Sequence, residues 1–252
     1  MLDDAVAGRP AGGTGGGRLH LRRDGTAGVE KNELKPWQKK QWCIGQVTAD
    51  FVWRMEDILD LYAEPYDPQR PVVCFDERPN QLLRDKRDPL PTKPGRPRRE
   101  DYEYVREGSC NLFLTFQPLS GWRHVEVTAR RTSKDFARQM KWLVDKVFPE
   151  AELIRVVLDN LNTHTPAALY QTFPAEEARR LTRKLEFHYT PKHGSWLNMV
   201  EIEFSVLARQ CLSQRLPDVK SVCREVEAWE RERNAVRATV AWRFATADAR
   251  LK

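Results

Sequence analysis

Two hydrophobic periods run along this chain. From Val47 the period is helical: Phe51, Val52, Met55, Ile58, Leu59 and Tyr62 recur at the three- and four-residue spacing of one apolar face. Thr48 is placed to cap that helix, and Pro65 to end it. The run VVCFD at 72–76 is apolar without alternation, which suits a strand covered on both faces. Two further strands are predicted at 111–117 and 122–129, joined by a turn at 118–121. A helix follows over 133–148, with Phe136, Met140, Leu143, Val144 and Val147 on one face. LIRVVLD is a second buried strand and ends at Asp159. The rest predicts a basic helix at 175–184, a short strand LEFHYT, a long helix from Trp196 and a charged helix from Asp218. Strands paired early and then alternating with helices imply a mixed α/β layer fold.

Two stretches fall outside this pattern. Residues 1–29 are rich in Gly and Ala and show no period, so a disordered tail is expected there. Its GGTGGG is not followed by Gly-Lys-Ser/Thr and is not preceded by a strand, so it is not a phosphate-binding loop. Residues 84–99, RDKRDPLPTKPGRPRR, hold four prolines and seven basic residues against two acidic ones, and predict an exposed basic loop.

Composition narrows the picture. In 252 residues, 40% hydrophobic and 10% aromatic content is enough to build a core, and no apolar run is long enough to cross a membrane. Five cysteines without a CxxC pair argue against a disulfide framework or a zinc site and for a reducing cytosol. A net charge of +6 leans towards a polyanionic partner.

The candidate chemistry is carboxylate chemistry. Both of the most hydrophobic strands end in an acid, Asp76 and Asp159. In α/β sheets, side chains at the carboxyl ends of strands emerge into a crevice, and two parallel neighbours would bring both acids to one edge. Either Asp taken singly could equally cap a turn. A third acid lies in KHGSWLNMVEIEF at 192–204. Three carboxylates at one sheet edge repel one another unless cations neutralise them, and hard divalent ions such as Mg²⁺ or Mn²⁺ suit oxygen donors. Two such ions would serve phosphodiester attack.

Both Glu201 and Glu203 could be that third acid. At about 100° per residue from Leu197, the apolar residues Val200, Phe204, Leu207, Ala208, Cys211 and Leu212 fall between about 280° and 60°. Glu201 then lies inside the apolar arc at about 40°, and Glu203 on its rim at about 240°. A glutamate facing the core needs a functional explanation, so Glu201 is the expected acid.

The segments VVCFDE at 72–77, VVLDNLNTH at 156–164 and YTPKHGSWLNMVEIEF at 189–204 resemble those of the DDE transposases of bacterial insertion sequences, in the mariner-like superfamily. The resemblance covers roughly 31–252. It implies a ribonuclease-H-like mixed sheet flanked by helices, with Asp76, Asp159 and Glu201 on the catalytic and metal-binding positions for two Mg²⁺ or Mn²⁺ ions. It also implies double-stranded DNA as partner, with terminal inverted repeats cleaved and joined to target DNA, usually at a TA step. A homodimer on DNA and a bacterial cytoplasmic, nucleoid-associated location follow from the same likeness. Asn160, His164, His193 and Asn198 match polar motif positions and would line the site, and Lys93, Arg96, Arg98 and Arg99 would contact DNA. The expected organisation is a disordered or out-of-frame tail at 1–29, a remnant of a helix-turn-helix region at 30–46, a linker helix at 47–68 and a catalytic domain at 69–252. The Gly-rich start has no counterpart in the family, so a truncated or frame-shifted copy, or a gene model begun too early, is expected, and the alternative is an inactive DNA-binding or dimerisation remnant. A nucleotide-driven motor is excluded by the missing phosphate loop, and an aspartyl-phosphate enzyme by Arg78, where a second Asp would stand.

Overall fold

The computed structural model describes residues 48–250. The tail expected at 1–29 and the helix-turn-helix remnant expected at 30–46 lie outside the described residues. Helix α1, Ala49–Ala63, begins where the Thr48 side chain accepts a hydrogen bond from Phe51 N at 3.2 Å. It buries Met55, Ile58, Leu59 and Leu61 in the main core, so the segment expected as a linker helix is packed on the sheet.

Five strands follow in the spatial order β3-β2-β1-β4-β5. They are β1 Val72–Asp85, β2 Tyr104–Gln117, β3 Trp122–Thr128, β4 Ile154–Leu158 and β5 Leu185–Tyr189. β1, β2 and β3 pair antiparallel, whereas β4 lies parallel to β1, and β5 parallel to β4. Helices α2 (Ser133–Trp142), α3 (Pro166–Thr172) and α4 (Ala175–Arg183) cover one face, and α1, α5 (Val200–Gln210) and α6 (Val219–Ala235) the other. A short α7, Thr246–Arg250, closes the described chain. Among the described residues no helix is long and apolar enough to cross a membrane.

Two-sided burial explains the unbroken apolar runs. In β1, Val73 and Phe75 enter the core under α2 and α3, and Val72 and Cys74 enter the core under α1, α5 and α6. In β4, Val156 and Leu158 take the first side and Val157 the second. Cys74, Cys110 and Cys211 are buried free thiols, and Cys223 is a half-buried one.

Three elements differ from expectation. β1 and β2 run on past the sheet as a two-stranded arm, braced by Arg84–Glu107 at 2.6 Å, Lys86–Glu103 at 3.2 Å and Arg87–Asp101 at 2.9 Å. The basic stretch expected as a loop is the end of that arm, with bridges Leu90–Arg99 and Lys93–Arg96. Facing charges on the two strands replace the apolar contacts that periodicity looks for. The helix expected over 133–148 ends its last turn as a π-turn, Leu143–Val147. The long helix expected from Trp196 is broken into a 3₁₀ turn, Ser195–Leu197, and α5, with Asn198 extended between them at φ −82° and ψ 107°.

Candidate active site

The parallel pairing of β1 with β4 sets the site. Its register matches Cys74 to Val157, an offset of 83 residues, and the same offset carries Asp76 level with Asp159. Asp159 follows the last residue of β4, whereas the strand expected to end at Asp76 continues to Asp85. Asp76 stands where β1 leaves its parallel pairing with β4, so both acids lie at one edge of the parallel part of the sheet. Asp76 is half-buried and Asp159 keeps 30% of its side chain exposed. Burial pushes the Asp76 carboxyl up to about 7, and the nearby charges of Asp159, Glu77 and Glu201 push the same way. A hydrogen bond from Glu77 N to Asp76 Oδ1, 2.8 Å, pulls against that rise without cancelling it.

Strand alternation sends the next residue, Glu77, to the opposite face. There its buried carboxylate meets His164, with Oε2 2.7 Å from Nε2, an ion pair too oblique for a straight hydrogen bond. The other ring nitrogen, Nδ1, lies 2.5 Å from Asp159 Oδ1. His164 is fully buried, between the rings of Phe75 and Phe136. Burial disfavours its charged form, but the contacts to Asp159 and Glu77 outweigh burial and raise it to about 9. Nδ1 bonds Asp159 and Nε2 faces Glu77 across an ion-pair distance, so carboxylates on both sides favour the charged ring, which ties β4 to β1 beneath the acids. Tyr189 Oη donates to the His164 carbonyl at 2.8 Å and anchors the loop from β5, and Arg131 stands 4.0 Å from Glu77.

α5 brings the third acid. Asn198 is buried, donating from Nδ2 to Phe75 O at 2.9 Å and accepting from Val200 N at 3.3 Å, which fastens the start of α5 to β1 next to Asp76. Glu201 is exposed and close enough for its charge to act on Asp76. The placement expected from periodicity is reversed. Glu201 faces solvent within reach of the Asp76 charge, and Glu203 is fully buried. Leu197 sits in the separate 3₁₀ turn and Leu212 lies beyond the helix, so neither shares its phase. The true stripe is Val200, Phe204, Leu207 and Cys211. Glu201 and Glu203 flank its centre at about 90° and about 70°, nearly alike. Partners decide between them: Glu203 meets Arg123 at 3.0 Å and Arg233 at 2.7 Å.

The weaker expectations separate in the same way. His164 belongs to the site, as its bracket. Asn198 spends its amide on backbone, and Asn160 is exposed beside Asp159. His193 is exposed at φ 65°, in the left-handed region, in the tight turn before the 3₁₀ turn. Lys93, Arg96, Arg98 and Arg99 are all exposed at the tip of the arm. Glu77, Arg131 and Tyr189 escaped sequence reasoning. The Asp-Glu doublet after the apolar run of β1 was the available signal for Glu77, because adjacent strand residues must face opposite sides.

Asp76, Asp159 and Glu201 offer hard oxygen donors, and the Asp76 carboxyl is raised first by burial and then by the charges of Asp159, Glu77 and Glu201. In chemistry this set fits a divalent metal ion. Among the described residues, no three His, Cys, Asp or Glu side chains already stand in a group that could hold one.

Comparison with known proteins bears on the whole arrangement. The chain is similar in structure to the Mos1 mariner paired end complex with Mn, at 16% identity and TM-score 0.53, covering 93% of this chain and 78% of that one. The Mos1 strand transfer complex matches at 15% and 0.53, over 91% of this chain and 74% of that one. A pre-cleavage Mos1 transpososome matches at 15% and 0.52, over 93% and 81%. At such identities the likeness is one of fold. Comparison with curated proteins finds no match. The model of the DDE superfamily endonuclease matches residues 71–223, which include Asp76, Asp159 and Glu201. The match spans more than half of the sequence, and the chain belongs to the DDE superfamily endonuclease family, with the ribonuclease-H-like fold of a transposase catalytic domain.

Proposed function

We propose that this chain cuts and joins DNA at the ends of a transposable element, as a transposase, with Asp76, Asp159 and Glu201 as its catalytic acids. The observation that carries this reading is the pair of aspartates level with each other at one sheet edge, with Asp76 held up to about 7 by burial and by its acidic neighbours. Asp76, Asp159 and Glu201 would hold Mg²⁺ or Mn²⁺, which when bound activates the attacking oxygen and stabilises the leaving one in phosphodiester attack. Among the proteins of similar fold, Mos1 forms a paired end complex with Mn and a strand transfer complex, which supports this reading.

The chain's own residues do the placing. His164 holds Asp159 through Oδ1, and Glu77 completes the imidazole's second contact. Asn198 fixes the start of α5 against β1, so that Glu201 stands near Asp76. The exposed cations Lys93, Arg96, Arg98 and Arg99 put positive charge at the end of a braced arm, suited to the phosphates of double-stranded DNA or to a second subunit of a DNA-bound homodimer.

Supercoiled plasmid incubated with the full chain and Mn²⁺ tests the reading. Nicking in Mn²⁺ or Mg²⁺ that disappears with chelator is the expected result. Undiminished nicking in chelator would overturn the metal assignment, and DNA binding without nicking under any metal would mark the chain as an inactive remnant.

A further inference from the structure

α5 carries two glutamates two residues apart, and the second does nothing in the chemistry above. Glu203 is fully buried, and it is caught from both sides. Arg123 of β3, itself fully buried, reaches it with Nε 3.0 Å from Oε2. Arg233 of α6 forks onto both oxygens, at 2.7 and 3.2 Å. Arg123 is fastened in turn to the carbonyl of Ala238, and it lies over the Phe116 ring at 5.2 Å. Asn234 bonds the Arg123 backbone in both directions, at 2.9 and 2.8 Å. Three elements are thus pinned to one carboxylate.

Burying such a cluster is not an efficient way to stabilise a fold, because desolvation offsets the attraction and apolar replacements of similar volume are often as stable or more so. It does supply direction. The apolar stripe Val200, Phe204 and Leu207 seats α5 on the sheet, but hydrophobic contact is non-directional and resists rolling about the helix axis weakly. Asn198 fixes where the helix starts, and Met199 at its N-cap makes no side-chain cap bond. Glu203 and Glu201 lie on opposite flanks of the stripe, so any roll that drew Glu203 out would turn Glu201 inwards. A carboxylate about 6 Å from the axis moves about 1 Å for each ~10° of roll.

We infer that Glu203, clamped by Arg123 and Arg233, is a positioning residue that sets the roll of α5 and so the place of Glu201 at the crevice. This rests on Glu201 being the third acid. A displacement of about 1 Å in a catalytic group costs on the order of 100-fold in rate, so the clamp carries a large share of catalysis while touching neither DNA nor metal.

The test uses the full chain, supercoiled plasmid and Mn²⁺. The apolar triple variant Arg123→Met/Glu203→Leu/Arg233→Met should stay folded, with Tm at or above the parent's. Its maximal nicking rate should fall about 10–100-fold while the half-saturating plasmid concentration stays put. The rise in Tm that Mn²⁺ alone produces should also shrink, a readout that does not depend on turnover. Arg233→Lys keeps the charge and loses the fork, and should show the same split at about 3–10-fold. Parent rate and parent Mn²⁺ response in the folded triple variant would overturn the inference. If the triple variant does not fold, parent behaviour of Arg233→Lys overturns it alone. Glu201→Gln separates the two claims: if it nicks like the parent, the site reading fails, whereas if it is inactive and the clamp variants are normal, only this inference fails.

Discussion

The crevice acids and the buried clamp treat the same functional group in opposite ways. In the clamp, the single carboxylate of Glu203 meets two guanidiniums with no access to water. At the crevice, Asp76 carries the charges of Asp159, Glu77 and Glu201 around it, and the buried imidazolium of His164 is turned to Asp159 and Glu77 rather than to Asp76. Arginine fixes its partner permanently, since it does not deprotonate in proteins. A carboxyl left among acids is costly in the free protein, and it becomes favourable only when a cation arrives. Two arginines hold the carboxylate of Glu203, whereas the acids around Asp76 add to its charge.

The largest expected contrast lies in activity. Asp76→Asn and Asp159→Asn should each lower plasmid nicking by about 1,000-fold or more, with Tm unchanged or raised for Asp76→Asn because repulsion is relieved. Single-turnover nicking rates beside thermal melts would check it, and an active Asp76→Asn would remove the distinction between the two regions.

Stability should show the reverse. Glu203→Leu alone leaves Arg123 buried without its partner and should cost about 3–5 kcal/mol, read as a lowered midpoint in urea at constant slope. A loss below about 1 kcal/mol would mean that water reaches Arg123 once its partner is gone.

The smallest effect sharpens the comparison through pH. The Asp76 carboxyl rises from 3.8 to about 7 on folding, so the folded state holds that proton more tightly than the unfolded chain does. Its contribution is therefore fullest below 3.8 and fades as pH climbs through 7. In metal-free buffer the Tm of Asp76→Asn minus that of the parent should grow between about pH 4 and pH 7 and then level off. Mn²⁺ at neutral pH should narrow the gap by stabilising the parent. A difference independent of pH would show that Asp76 is solvated like an ordinary surface acid.

Much of this was legible beforehand, in proportion to how local the cause is. Thr48 caps its helix where capping chemistry puts it, since a cap needs only its own first turn. VVCFD and LIRVVLD announce strands buried on both sides, because two covered faces favour apolar residues at successive positions, with the buried and paired Arg155 as the exception. Their terminal acids could be named, and the motif resemblance assigned the family. The arm of β1 and β2 was not legible. It is held by cross-strand charges whose partners lie about twenty residues away, and prolines with basic residues read the same in a loop as at a hairpin tip.

What the sequence determined by itself, then, is the set of two-faced strands, the capped helices and the candidate acids Asp76, Asp159 and the glutamate pair of α5, all written in near-neighbour patterns. Tertiary structure alone decided which flank of α5 meets Arg123 and Arg233 and which meets the crevice. The two glutamates sit almost symmetrically about the apolar stripe, and periodicity cannot separate two equal flanks. The same holds for His164, which became the bracket of the site because the parallel register of β1 and β4 brought Glu77 and Asp159 to its two nitrogens, a meeting of groups 82 residues apart in the chain.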